Sequence, residues 1–150
     1  MGKESRITPF LMFQENCAQA AQFYCSIFEN SEILSSDPMS ATFVLDGQKI
    51  LAFNGGPSFS FSEGVSLFVS VESQKELDYY WDKLIADGGA ESMCGWLKDK
   101  FGLSWQIVPT ILMELLGDPD RDRANRAMQA MLQMKKLSVQ GLKDAADNKS

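Results

Sequence analysis

The chain reads as an α+β protein: two tandem modules, each a strand, a helix and further strands, followed by C-terminal helices. Three observations predict this. The first is a repeat. Sliding the sequence by 57 residues lays Pro9 to Phe28 over Ser66 to Ile85, so that Gln19 meets Glu76, Ala20 meets Leu77, Tyr24 meets Trp81 and Ile27 meets Leu84. A unit of that length cannot bury its apolar face alone, so two copies are expected to share one sheet-containing domain. The second is the order of patterns within each copy, which passes from a short apolar run to a helical stripe and back to β-rich runs. The third is the change after Pro109-Thr110, beyond which only helical patterns occur. These place module one at 7–54, a linker at 55–63, module two at 64–109 and a helical extension at 110–146.

Each element has a local reason. Ile7 to Phe13 is a near-continuous apolar run, read as a buried strand, and Asn16 follows as a helix cap with Gln19 three residues on. The helix carries Cys17, Ala20, Ala21, Tyr24, Ile27 and Phe28 on one stripe and stops at Glu29-Asn30-Ser31. Three strands are expected at Ile33-Leu34, Ala41 to Leu45 and Lys49 to Phe53, separated by Asp37-Pro38 and by the hairpin signal Asp46-Gly47. After Asn54-Gly-Gly-Pro57, the second copy opens with a strand from Gly64 to Val71. Ser73-Gln-Lys-Glu76 is a capping box, and Leu77, Tyr80, Trp81, Leu84 and Ile85 follow at helical spacing until Gly88-Gly89. Strand-like pieces follow at Glu91 to Leu97 and Leu103 to Val108.

In the extension, Asp118-Pro119-Asp120 predicts a helix with Pro119 at its first position. Ala124, Ala127, Met128, Met131, Leu132 and Met134/Lys135 make a stripe that either packs on its own domain or meets another subunit. Lys143 to Ser150 are expected to fray.

Bulk properties exclude several function classes. At 150 residues, 45% hydrophobic and 23% charged, the composition is that of an ordinary globular domain. A net charge of -6 argues against nucleic acid and anionic membrane surfaces as partners. No apolar run approaches the roughly 20 residues needed to span a bilayer, and no apolar signal-peptide core follows the Met1 to Arg6 start. Cys17, Cys25 and Cys94 are odd in number and lack metal-site spacing, which suits reduced thiols. A cytoplasmic location is expected.

Two segments carry a family resemblance: Asn54-Gly-Gly-Pro-Ser-Phe-Ser-Phe61, and the run from Cys94-Gly-Trp-Leu-Lys-Asp-Lys through Phe-Gly-Leu-Ser-Trp-Gln-Ile-Val-Pro109. With Ile7-Thr-Pro-Phe-Leu-Met-Phe13 and Met128-Gln-Ala-Met-Leu-Gln-Met134, they closely resemble the PhnB-like proteins. That group is labelled 3-demethylubiquinone 3-methyltransferase and belongs to the glyoxalase/bleomycin-resistance/dioxygenase (vicinal oxygen chelate) superfamily. The resemblance runs from about Ile7 to Ala146. It implies two tandem βαβββ modules forming curved mixed sheets around a cavity and, in metal-dependent members, a divalent ion held by one side chain from each of four strands. In this sequence those positions fall at Pro9, Leu51, Ser66 and Gln106, in a register good to about one residue. None is an imidazole, thiolate or carboxylate, and the chain contains no histidine at all. The place where relatives carry a histidine in the Gly-Gly-Pro loop is Ser58. No metal and no cofactor are therefore predicted.

Strand alternation puts Leu103, Trp105 and Ile107 on one face and Ser104, Gln106 and Val108 on the other. The expected cavity wall is then Pro9, Leu11, Phe13, Ser66, Phe68, Ser70, Ser104 and Gln106, with Leu51, Ser58 and Cys94 as further ligand-binding candidates. Such a wall suits a neutral or aromatic small molecule. Cys94, beside Gly95 and Trp96, is either a cavity nucleophile or an inert half-buried thiol. The Gly-Gly-Pro loop is either an anion cradle or a plain linker. Catalytic residues stay unassigned. The leading expectation is a metal-free small-molecule-binding protein, acting as a homodimer. The alternative is an enzyme of the superfamily: a lyase, a dioxygenase or the methyltransferase of the family label.

Overall fold

The computed structural model describes residues 5–149, so Met1 to Glu4 of the predicted leader-free start and Ser150 of the predicted frayed end lie outside it. Among the described residues the elements run β1 (Phe10–Phe13), α1 (Cys17–Ile27), β2 (Glu32–Ser36), β3 (Ser40–Leu45) and β4 (Gln48–Asn54). They continue as β5 (Leu67–Val71), α2 (Gln74–Ile85), β6 (Ala90–Glu91), β7 (Trp96–Lys98) and β8 (Ser104–Pro109). Three helices follow, α3 (Thr110–Leu116), α4 (Arg121–Leu132) and α5 (Val139–Ala146). The strands form two four-stranded sheets of matching order, β1-β4-β3-β2 and β5-β8-β7-β6. In each, the first strand runs parallel to the last and the other pairings are antiparallel. The repeat is thus a duplication of strand order. The chain divides into two compact units, one ending at Phe61 and the other starting at Ser62, and the terminal helices belong to the second.

In the first unit α1 packs on β3, with the Tyr24 and Phe43 rings 6.3 Å apart. The predicted stripe is its buried face: Cys17, Ala20, Ala21, Tyr24 and Ile27 meet Phe43, Leu45, Ile50 and Ala52 in one apolar core. Asp46 (φ 47°) and Gly47 (φ 84°) are both left-handed, as a two-residue type I′ hairpin requires. The cap differs from expectation. Asn16 sits at the N-cap position, but its side chain makes no cap bond. Asn54, at the far end of β4, supplies the acceptor instead: its Oδ1 takes the Cys17 N–H at 2.9 Å while its Nδ2 donates to the Pro38 carbonyl at 3.2 Å.

In the second unit Ser73 Oγ accepts from the Glu76 N–H at 3.2 Å, and the Glu76 carboxylate reaches back to the Glu72 N–H at 3.1 Å. The capping box therefore closes one residue before Ser73. Helix α2 packs on β7 and β8 through Leu77, Trp81 and Leu84. The strand predicted at Glu91 to Leu97 is broken into β6 and β7 by a turn at Met93 to Gly95. The β7–β8 connection is organised by Asp99, only 3% exposed, whose carboxylate accepts from the backbone N–H groups of Phe101 (2.8 Å) and Leu103 (3.1 Å) and from Trp105 Nε1 (2.8 Å).

The extension starts its helices elsewhere than predicted. Asp120 caps α4 by accepting from the N–H groups of Asp122 and Arg123, so Pro119 lies before the helix. The Asp118 carboxylate accepts from the Asp120 N–H at 2.8 Å and from Arg123 Nε at 2.9 Å, a competing local turn that delays the helix start. Lys143 to Ala146 do not fray. They form the end of α5, held by buried Leu142 and Ala146. No helix among the described residues is long and apolar enough to cross a membrane.

Candidate functional site

Each sheet has one face against its helix and one turned away, called here the averted face. In the second unit the register of β8 separates its faces as the sequence predicts: Trp105, paired with Leu67 and buried Leu97, lies with Ile107 on the α2 side, while Ser104, Gln106 and Val108 lie on the averted face, where Ser104 and Val108 are buried too. Strand pairing fixes the neighbours of Gln106, since Phe68 of β5 and Trp96 of β7 are its cross-strand partners. Gln106 Nε2 donates to Ser66 Oγ at 2.9 Å, which brings Ser66 to the same side. Phe68 is half exposed, Trp96 is half-buried and Ser104 is buried. Lys98, next in register on this face, pairs with the Glu63 carboxylate at 2.6 Å. The face therefore presents two aromatic rings, an amide and hydroxyls, with one neutralised cation beside them.

The first unit corrects the predicted wall. Phe43 faces Tyr24 of α1, Ile50 pairs with Phe43, Ala52 pairs with Ala41, and Leu11 pairs with Ala52. Leu11 and Phe13 thus lie on the α1 face, where both are buried. The averted face carries Phe10, Met12, Thr42, Leu51 and Phe53 instead. The cause is one residue of connection. Gln14, Glu15 and Asn16 join β1 to α1, whereas Glu72 and Ser73 alone join β5 to α2. A slide of 57 aligns the helices, but the strands match at 58, Leu11 with Val69 and Phe13 with Val71. A one-residue slip moves every side chain of a strand to the opposite face. The counterpart of Ser66 is accordingly Thr8 and not Pro9, whose carbonyl accepts the Leu51 N–H at 3.0 Å. Leu51 lies on the averted face, opposite Phe10 and Thr42.

Ser58 is exposed in a loop tied to β1: Gly55 N–H donates to the Phe13 carbonyl at 2.7 Å, Gly56 N–H to Gln14 at 3.0 Å, and Gln14 Nε2 to the Phe59 carbonyl at 2.8 Å. With the glycine N–H groups engaged in this way, the loop is a connector and not an anion cradle. Cys94 sits in the β6–β7 turn, its N–H donating to the Met134 carbonyl at 2.7 Å. Burial pushes the thiols of Cys17 and Cys25 above their ordinary range, so both stay protonated at neutral pH.

The donor set does not fit a divalent ion. Thr8 and Leu51 in the first unit, and Ser66 and Gln106 in the second, offer no anionic or imidazole ligand, and among the described residues no three His, Cys, Asp or Glu converge. Nor do the strand–helix turns fit a nucleotide-type methyl donor. Neither connection contains glycine, and the leading N–H groups of α1 and α2 are taken by Asn54 and Ser73. Pattern alone missed Phe10, Met12, Thr8 and Trp96, for which strand register was needed.

Comparison with known proteins gives a consistent family. The model of the family described as 3-demethylubiquinone-9 3-methyltransferase matches residues 5–108. A Bacillus cereus PhnB protein carrying that same label is similar over 71% of this chain and 100% of its own, with 34% identity and a TM-score of 0.65. A fosfomycin resistance protein of Listeria monocytogenes has the same fold at 18% identity, with a TM-score of 0.55 over 75% of this chain and 98% of its own. A glyoxalase-related enzyme of Fulvimarina pelagi does so at 13% identity, with a TM-score of 0.53 over 72% and 91%. None of the curated proteins is similar enough to this chain to count as a match.

Proposed function

Because the chain belongs to the 3-demethylubiquinone-9 3-methyltransferase family, the PhnB-like group of the glyoxalase/bleomycin-resistance superfamily, we propose that it uses that scaffold to bind a neutral or aromatic small molecule without a metal. The observation that carries this reading is the Ser66–Gln106 pair. Two positions that would hold an ion in metal-dependent relatives carry neutral groups hydrogen-bonded to each other, and Gln106 has Phe68 and Trp96 as its partners on the two neighbouring strands. An amide and a hydroxyl orient a ligand oxygen, and the rings supply apolar contact.

The family label favours a second reading, methyl transfer. Calorimetry separates the two. Titrating 2-naphthol, a flat uncharged aromatic with one hydroxyl, is expected to give saturable heat that Gln106→Leu weakens about tenfold, the size of one lost hydrogen bond in a partly dry site. S-adenosylmethionine is expected to give none. Saturable binding of S-adenosylmethionine would move the enzyme reading to the front. The proposal also carries a cytoplasmic location and a homodimer, the homodimer supported by Met128 and Leu132, which α4 leaves 37% and 44% exposed. Sedimentation velocity tests it, with twice the chain mass expected.

A further inference from the structure

The turn that carries Trp96 to the site is held in an uncommon conformation from outside the family-matched span. Cys94 and Gly95 are both left-handed, with φ of 60° and 86°. A non-glycine residue adopts that region when its surroundings impose it. Here the imposing element is the segment Met134 to Leu137 between α4 and α5, beyond the 5–108 matched by the family model. The Met134 carbonyl accepts from Cys94 N–H at 2.7 Å and the Lys135 carbonyl from Gly95 N–H at 2.9 Å, while the Gly95 carbonyl accepts from Ile107 N–H of β8 at 2.9 Å. Leu137, 1% exposed, closes the space: a Cβ on Gly95 would stand 2.9 Å from Leu137 Cδ1 and 3.2 Å from the Ile107 carbonyl oxygen. The segment is anchored in turn. Gln74 of α2 donates to the Leu137 carbonyl at 3.1 Å and accepts from Val139 N–H at 2.7 Å, and Lys136 pairs with Asp78 at 3.1 Å.

We infer that this segment of the C-terminal extension is a specificity element of the averted-face site: it clamps the Cys94–Gly95 turn so that the Trp96 indole stands beside Gln106 as the stacking wall for a flat, uncharged ligand. The inference rests on the binding function proposed above, but the clamp itself is testable without a ligand. Of the three tryptophans, Trp81 and Trp105 are 1% and 2% exposed and hydrogen-bonded to Glu91 and Asp99, so quenching by acrylamide reports chiefly on Trp96.

The variants are Leu137→Ala and Gln74→Ala, the second removing no buried apolar group and so keeping the fold. Leu142→Ala, an equally buried position of α5 outside the clamp, is the control. Both clamp variants are expected to raise the acrylamide quenching constant about twofold over the control and to weaken 2-naphthol binding about tenfold, with the far-ultraviolet spectrum kept. Quenching unchanged in both overturns the inference, whether or not 2-naphthol binds. Raised quenching with unchanged 2-naphthol affinity also overturns it, since Trp96 then sets no specificity. Raised quenching in a chain whose wild type binds no 2-naphthol supports the clamp and counts against the binding function instead.

Discussion

The two units share a strand order and differ in how each holds it. The first is closed by local means: strands of 4 to 7 residues, a type I′ turn at Asp46-Gly47, and one long-range side chain, Asn54, capping its helix. The second has strands as short as two and three residues at β6 and β7, too few ladder bonds to fix a register alone. It relies on a buried carboxylate, Asp99, within the β7–β8 connection and on the extension at the β6–β7 turn. A short strand frees its neighbours for a site, and the register it cannot hold is supplied by packing from elsewhere in the chain.

The sharpest way to break this comparison is Asp99→Ala, which leaves three donors without their acceptor, two of them in buried residues. At about 1–3 kcal/mol for each unsatisfied buried group, a loss of about 4 kcal/mol is expected in urea unfolding. All three tryptophans lie in the second unit, so their fluorescence follows that unit. A loss no larger than that of Gly47→Ala would erase the distinction between the two hairpins. For the caps, Asn54→Ala is expected to cost about 1–2 kcal/mol and Asn16→Ala under about 0.5, by circular dichroism of the unfolding transition. The opposite ranking would return the cap to the local residue. Gly47→Ala, which places a side chain on a backbone at φ 84°, is expected to cost about 1 kcal/mol by the same measurement.

Acid gives the smallest and most diffuse contrast, since the first unit also has a lowered carboxyl, Asp37, held by the Met39 N–H and then by Ser40. In the second unit a bond from the Asp120 N–H, then Arg123, holds the Asp118 carboxyl below its ordinary range, and Arg123 does the same to Asp147. Gln74, then Lys136, lowers Asp78. Groups with lowered folded values stabilise above the usual carboxylate range near about 4 and lose that contribution as pH falls below it. Melting temperature is expected to hold from pH 7 to 5 and to drop below about 4, with a smaller drop in Asp118→Asn. An equal drop in that variant would remove the Asp118–Arg123 pair from the account.

Periodicity made the helices legible because burial acts on one stripe, and Ala20, Tyr24, Leu77 and Trp81 lie where the repeat puts them. The strands of the site were legible only in part. The alternation of Leu103 to Val108 was correct, and Gln106 and Ser66 share a face. Leu11 and Phe13 were assigned to the wrong side, because one extra residue before α1 changes strand parity while leaving the helix alignment intact. Asn54 at Cys17, Glu76 at Glu72 and Met134 at Cys94 are pairings set by tertiary approach, which no local pattern encodes.

The most direct test of the central claim is native mass spectrometry of the chain purified without added metal, then titrated with zinc, nickel, manganese and iron. With only neutral groups at Thr8 and Leu51 of the first unit and at Ser66 and Gln106 of the second, the account predicts no stoichiometric metal and retained 2-naphthol binding. One tightly held metal per chain, required for ligand binding, would contradict it.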